Sequence, residues 1–246
     1  MNQGLAIATE KQSSNVFSFS RECKYHFYPT EEYQASIGDM SVSLGFVSCQ
    51  SQRDRIYQLR ESIYQDNMSY LLNTDDGLPA SADKFDAISY IFYCRQGDRI
   101  IASCRYTPAI NGEWESPGVT KAANLVPANK SQMLEIGRLL VAPEYRSQMI
   151  SELLVWAASD WLGQNTRYKY FYAVCVPALV RFYRHFGSQS IPKTKIVLPE
   201  RQNKSYRIVY GSMNRVANTL EEYITEREGL LSYPAQQESI NYLQVS

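Results

Sequence analysis

The 246-residue sequence predicts a mixed α/β fold, and three segments carry that prediction. Leu134–Val141 is a near-continuous apolar run that reads as a strand. It ends at Ala142-Pro143, and the stripe that follows, Ile150, Leu153, Leu154, Ala157, Ala158 and Trp161, has the three- and four-residue offsets of one helix face and closes near Gly163. Arg167–Val176, rich in aromatic and β-branched residues, reads as the next strand, and Pro177 opens a helix that stops at Gly187. Ile88–Cys94 and Arg99–Arg105, joined at Gln96-Gly97-Asp98, make a hairpin by their turn chemistry.

The remaining elements follow in chain order. Residues 1–40 are Gln/Ser-rich at the start, continue through Lys24–Tyr28, and read as an extension with room for one strand or hairpin. Gln50–Asn67 is a helix with Ile56, Leu59, Ile63 and Tyr64 as its apolar stripe and Arg53, Arg55, Arg60 and Glu61 mostly outside it. Asn73–Ala82, with Asp75, Asp76, Gly77 and Pro79, is a loop. Tyr206–Met213 is the last strand of the main domain, and a helix near Val216–Glu228 precedes a polar tail. The expected organisation is therefore an extension over 1–40, one domain over 41–213, and a C-terminal helix and tail over 214–246.

Composition narrows the function. A formal net charge of zero disfavours a strong nucleic-acid surface. A hydrophobic fraction of 44% suffices for a sizeable core, yet no run reaches the roughly 20 apolar residues of a membrane span. Without a signal-peptide pattern the expected location is cytoplasmic. Five cysteines without CxxC spacing indicate neither a disulfide framework nor a zinc site, and two histidines are too few for a His-based metal centre. Cys94, Cys104 and Cys175 are expected to be buried, inert thiols.

The strand Leu134–Val141 also carries two ionisable residues. Period two places Glu135, Gly137 and Leu139 on one face and Ile136, Arg138 and Leu140 on the other. Charges in a strand that otherwise reads as core must be paired or put to use. Arg146, two residues, Met149, one residue and Ser151 then form the turn into the helix.

Taken together these features resemble the GNAT superfamily of acyl-thioester-dependent N-acyltransferases. In that superfamily the turn carries Arg or Gln, two residues, Gly, one residue, then Gly or Ala, so that backbone N–H groups approach a pyrophosphate. The Phe182-Tyr183 pair with Gly187 is similar to its "(L/F)Y…G" signature, whose Tyr protonates the departing thiolate. Within the superfamily the chain resembles the acyl-homoserine-lactone (autoinducer) synthases and the long-chain N-acyl amino acid synthases. The residues that carry this are Arg60 with Ile63-Tyr64, Asp83 with Phe85-Asp86, Arg105 with Pro108, and Glu135, Gly137, Arg138 and Leu139.

The resemblance implies a GNAT-like mixed, mainly antiparallel central sheet flanked by helices. It also implies oxyanion stabilisation by backbone N–H groups of Leu139, Leu140 and Val141 if the strand bulges after Arg138. Three departures bear on the substrates. No Trp lies between the first Arg motif and the acidic motif, Tyr106 stands for the usual Leu, and Gly137 stands for the usual Ser. These point away from S-adenosylmethionine as acceptor. Met149 and Ser151 replace the small residues of the donor loop, so an acyl group on the phosphopantetheine arm of an acyl-carrier protein is favoured over acyl-CoA.

The expected activity is transfer of a fatty acyl group to the primary amine of an amino acid or of a Lys/ornithine-type side chain in a peptide. No permanently bound cofactor is expected; the acyl-phosphopantetheine thioester is a co-substrate. Thioester aminolysis needs a base for the protonated amine, for which Glu135 is the candidate, and an acid for the thiolate, for which it is Tyr183. Arg105 and Arg138 are expected to pair with Asp83, Asp86 or Glu135 on the acceptor side and to offer a grip for an acceptor carboxylate. Arg146, Met149 and Ser151 would face the donor.

Phe92, Tyr106, Leu140, Trp156 and Phe171 are candidates for a fatty-chain channel. The basic residues Arg181, Arg184, His185, Lys193, Lys195, Arg201, Lys204 and Arg207 offer a docking face for an acidic carrier protein. The alternatives are a lactone synthase, a non-catalytic acyl-carrier or lipid-binding module, and a structural or regulatory partner.

Overall fold

A computed structural model describes residues 32–72, 78–146, 148–227 and 230–233. The expected arm with Lys24–Tyr28, Cys23 and His26, much of the Asn73–Ala82 loop, and the polar tail lie outside these residues. The strands are β1 (Tyr33–Ile37), β2 (Met40–Phe46), β3 (Tyr90–Gln96), β4 (Arg99–Pro108), β5 (Met133–Val141), β6 (Tyr170–Cys175), β7 (Gln189–Ser190), β8 (Ile196–Leu198), β9 (Lys204–Ser212) and β10 (Leu230–Ser232). The helices are α1 (Gln50–Asn67), α2 (Pro117–Asn124), α3 (Ile150–Asn165), α4 (Val180–His185) and α5 (Met213–Thr225).

The sheet runs β10-β1-β2-β3-β4-β5-β6-β9-β7, with β8 also paired to β9. All these pairs are antiparallel except β5–β6. Strand alternation distributes the core over two faces. On one, Phe92, Cys104, Tyr106, Ile136 and Phe171 pack with α3, α4 and α5 around Trp156. On the other, α1 covers Ile91, Tyr93, Ile100 and Leu140, while α2 covers Met133, Tyr172 and Ile208.

Several elements differ from the expected ones. The helix expected from Val216 starts at Met213, and its Met213, Val216, Ala217, Leu220 and Ile224 belong to the central core. The described residues before 41 and after 213 share one sheet and one core with the rest, because β1 pairs with both β2 and β10 and α5 packs in the central core. Helix α2 went unread in the sequence, although Ser116-Pro117 announces it: the Ser116 hydroxyl accepts from the Val119 N–H at 3.3 Å and Pro117 occupies the first helical turn. Cys94, Cys104 and Cys175 are buried and unbridged, and burial pushes all three thiols up, Cys175 to about 11.

Close packing also sets a position on β2. A Cβ at Gly45 would meet the Tyr93 Oη at 2.7 Å and Cζ at 2.8 Å, and that ring is held by a 3.1 Å bond from Gln52. Gly45→Ala is expected to cost about 1–3 kcal/mol by overpacking, read as a lower urea midpoint.

Candidate active site

The site begins with a break in two strand registers. Strand β5 pairs with β6 only over Met133–Glu135, opposite Tyr170–Tyr172. Beyond Glu135 the two strands part, and among the described residues Ile136–Val141 have a partner strand on the β4 side alone. On that side the register shifts between Ser103 and Arg105, leaving Arg138 and Leu139 opposite Cys104, and Arg138 takes φ of 51°. The strand therefore bulges at Arg138–Leu139, whereas the resemblance implied a bulge just after Arg138.

It corrects the period-two reading of Arg138. Strict alternation would send Arg138 to the Ile136 side, but the bulged backbone turns it to the face of Glu135, where it shares partners with Arg105. It also sets the backbone donors. The Ala142 N–H donates to the Ile101 carbonyl on β4 at 2.8 Å, so alternation directs the Leu140 N–H to β4 and those of Leu139 and Val141 into the open wedge.

Beneath the wedge lies a chain of alternating charges. Arg60, on α1, donates to both Asp86 oxygens at 3.0 and 2.9 Å. Arg105 bonds Asp83 at 2.7 Å, Asp86 at 3.0 Å and Glu115 at 3.2 Å. Arg138 bonds Asp83 at 2.8 Å and Glu115 at 2.9 Å, and Arg201 approaches Glu115 at 3.4 Å. The positions follow from the elements. Arg60 lies four residues from both Ile56 and Tyr64, which places it on the buried stripe and corrects its reading as outside it. The Asp86 carboxylate accepts from the Asp83 N–H at 3.1 Å, and Asp83 from the Phe85 N–H at 2.9 Å, so the acidic turn is self-bonded before the arginines arrive.

Burial alone would raise the Asp83 carboxyl, but the Arg105 and Arg138 guanidiniums hold it well below the usual range. Glu115 is likewise penalised by burial and brought down by Arg138, Arg105 and Arg201.

Glu135 stands apart. Of the partners expected for Arg105 and Arg138, Asp83 and Asp86 are engaged, and Glu135 makes no ion pair with either arginine among the described residues; Glu115 is the third carboxylate of the cluster. Glu135 is 3% exposed and its Oε2 has no hydrogen-bond partner there. Burial, and then the nearby Glu115 charge, push its carboxyl up to about 8. It sits at the apex of the wedge, paired with Thr107 on β4 and Tyr172 on β6. The buried Tyr172 hydroxyl and Trp114 Nε1, also unpartnered, belong to the wall beside it, with the rings in edge contact at 5.4 Å.

Tyr183 lies on the opposite face of the sheet, in the α3-side core with Cys104 and Tyr106. Burial, then the Cys175 and Cys104 thiols on the strands flanking open β5, raise its hydroxyl above the usual tyrosine range. The base and acid candidates therefore lie on opposite faces of the sheet. The aromatic channel candidates are likewise divided: Phe92, Tyr106, Trp156 and Phe171 lie in the Tyr183-side core, whereas Leu140 packs with Ile63 and Tyr64 on the other face.

At the donor end, Met149 precedes α3 with φ of 55°. The position where the superfamily pattern has glycine is thus one where the backbone is left-handed. The Ser151 hydroxyl donates to Glu152 at 2.7 Å, which brings a carboxylate into the first turn of α3. Arg146 donates to the Val141 carbonyl at 3.2 Å, linking that turn to the wedge.

Residues 59–156 match the family described as acetyltransferase (GNAT) domain. Among solved structures, the CoA-dependent acyl-homoserine lactone synthase BjaI superposes with a TM-score of 0.59 at 15% identity, over 72% of this chain and 83% of that one. The acyl-homoserine lactone synthase LasI gives 0.57 at 12% identity over 74% and 94%. FeeM, an N-acyl amino acid synthase from uncultured soil microbes, gives 0.53 at 10% identity over 72% and 94%. No curated protein matched the chain in sequence. The shared fold is that of GNAT enzymes. Glu115 and Tyr172 were not read as site residues from the sequence, and Arg201 only as part of a docking face; the Ser116-Pro117 helix start beside Glu115 is the one local signal that could have drawn attention there.

Proposed function

We propose, for a chain whose residues 59–156 match the acetyltransferase (GNAT) domain family, that it transfers a fatty acyl group from a phosphopantetheine thioester to a primary amine. The observation that carries this reading is the wedge in β5, where β6 parts from it beyond Glu135: a buried carboxyl oxygen without a hydrogen-bond partner among the described residues stands at its apex, the Leu139 and Val141 N–H groups are directed into it by strand alternation, and Tyr183 lies on the other face of the sheet. The acceptor amine enters from the Glu135 face. It attacks the thioester carbonyl as Glu135 takes its proton, and the Leu139 and Val141 N–H groups receive the oxyanion. The C–S bond breaks and the Tyr183 hydroxyl protonates the thiolate. Arg105, Arg138, Asp83 and Asp86 hold the floor of the site rigid, since each guanidinium is already shared between carboxylates.

A carrier-protein donor is supported over CoA by two features. Met149 and the Glu152 carboxylate occupy the turn that would otherwise cradle a pyrophosphate. Arg181 and Arg184 are exposed on α4, the helix that bears Tyr183, with His185 beside them, and the two arginines offer positive charge to an acidic carrier. The wider basic face expected from the sequence is narrower in three dimensions, because Arg201 turns inward to Glu115 and Arg207 donates to the Thr194 carbonyl.

The test is mass analysis after incubation with acyl-carrier-protein and acyl-CoA thioesters plus pooled amino acids and amine-bearing peptides. An amide-linked acyl product, formed faster from the carrier thioester, is expected. Carrier binding without any product would replace this reading by a binding module.

A further inference from the structure

Glu135 has one register partner on each flanking strand, and the two differ. On β4, Thr107 is buried and its hydroxyl is bonded to that of Ser89 at 2.9 Å. On β6, Tyr172 is fully buried, and its hydroxyl has no hydrogen-bond partner among the described residues. Register partners on strands about 4.8 Å apart project to the same face, so the Tyr172 and Glu135 side chains run side by side. Theirs is also the last pair that β5 and β6 make before the strands part. The phenol therefore bounds the wedge from β6 where the carboxyl bounds it from β5.

Buried polar groups in native proteins are mostly hydrogen-bonded, so an unpartnered hydroxyl beside an unpartnered carboxyl oxygen calls for a reason. The reason lies in the state that Glu135 reaches on losing its proton, because a buried carboxylate needs a donor. The charged groups that face it are Glu115 from the connection before α2, Arg105 from β4, Arg138 from its own strand and Arg201 from the β8–β9 connection. Among the described residues none of these arginines bonds Glu135. Arg105 and Arg138 are spread over Asp83, Asp86 and Glu115, and Arg201 approaches Glu115 at 3.4 Å. Glu115 offers Tyr172 no spare oxygen, since Arg138 takes one and Arg105 and Arg201 share the other. That leaves the Tyr172 O–H as the uncommitted donor on the adjoining strand. Burial, and then the Glu135 and Glu115 charges, raise its proton affinity far above the usual tyrosine range, so it donates without ionising. The Trp114 ring meets it edge-on at 5.4 Å and is anchored by a 3.0 Å bond from the Trp114 backbone N–H to the Thr120 hydroxyl.

Resting on the acylation reading above, we infer that Tyr172 is the positioning residue of the base: its hydroxyl donates to one oxygen of the Glu135 carboxylate and leaves the other for the incoming amine. The amine proton passes to Glu135, and Tyr172 keeps its own throughout. This resolves a conflict within the site. Burial favours the protonated carboxyl, which cannot act as a base, and a donor that engages the ionised form offsets that preference.

The experiment uses Tyr172→Phe, which removes one oxygen and keeps the ring. That oxygen is unpartnered while Glu135 is protonated, so the variant should match wild type in urea at pH 6. Carbon-13 NMR of protein labelled at the glutamate carboxyl carbons follows the base directly, with the Glu135 signal assigned by its loss in Glu135→Gln. The midpoint of about 8 in wild type should rise by about one pH unit in Tyr172→Phe, the tenfold change that one lost bond to a charged oxygen brings. With a dodecanoyl-carrier protein and pooled amino acids and amine-bearing peptides, kcat at pH 7 should fall about 10- to 100-fold with KM kept, and the rise of kcat/KM with pH should move up with the midpoint. In a Glu135→Gln background the same change should cost less than about twofold more, since the two groups act as a unit. A Tyr172→Phe protein that is less stable at pH 6, whose Glu135 midpoint stays put, or whose loss multiplies with that of Glu135→Gln overturns the assignment. The NMR result is independent of turnover. A raised midpoint supports the inference even if no donor is used, whereas product formation with an unmoved midpoint refutes it and leaves the acylation reading in place.

Discussion

Glu135→Gln is expected to lower kcat by about 100- to 10,000-fold, the usual contribution of a positioned general base, with the fold intact. Glutamine keeps the shape of the side chain and carries no charge into a site where burial already favours the neutral form. The pH dependence sharpens the expectation. Burial and the Glu115 charge raise the Glu135 carboxyl to about 8, so the base form accumulates only above that value, and kcat/KM of wild type should climb with pH through about 8. The residual activity of Glu135→Gln should lack that limb.

Stability runs the other way. Because the folded-state value lies above the ordinary 4.5, the native state favours the protonated group, and this contribution is complete below pH 4.5 and lost as pH rises through about 8. The glutamine variant, which cannot titrate, should gain stability relative to wild type at alkaline pH. Urea melts at pH 6 and pH 9 measure the difference, and pH–rate profiles measure the rest. An unchanged rate in Glu135→Gln would remove Glu135 from the chemistry.

Asp86→Ala carries the largest expected cost in stability. Asp86 is 2% exposed and serves Arg60 and Arg105, themselves 0% and 1% exposed. Removing it leaves two buried guanidiniums short of a partner, for a penalty of about 3–5 kcal/mol. Against a typical total of about 5–15 kcal/mol, that is enough to leave much of the protein unfolded at physiological temperature. Glu144→Ala is the internal comparison. Glu144 also pairs with an arginine, Arg99, but the two side chains are 47% and 61% exposed, so solvent screens the interaction and the urea midpoint of Glu144→Ala should stay close to that of wild type. Urea denaturation of both variants decides the matter. Equal midpoints would mean that the buried cluster is not what holds α1 and the acidic turn to the sheet.

The contrast between those two ion pairs shows what local pattern can and cannot convey. The sequence identified Arg60, Asp83, Asp86, Arg105 and Arg138 as candidates but could not state their pairing. Arg60 was set outside the helix stripe because a charged side chain is ordinarily solvated, although its spacing from Ile56 and Tyr64 is that of the buried face. Glu115 went unread because it lies in a short connection ahead of α2, where neither hydrophobic period marks it. Arg201, in a surface list by composition, is drawn inward by the β8–β9 turn.

By itself the sequence determined the mixed α/β class, the extent of α1, the hairpin of β3 and β4, and the β5–turn–α3 unit. Those depend on periodicity and turn residues that act over a few positions. Tertiary structure alone decided which face Arg138 serves and where Glu135 finds itself. The bulge in β5 exists only against β4, the wedge exists only because β6 diverges, and the affinity of Glu135 for its proton is set by burial and by Glu115 arriving from another part of the chain.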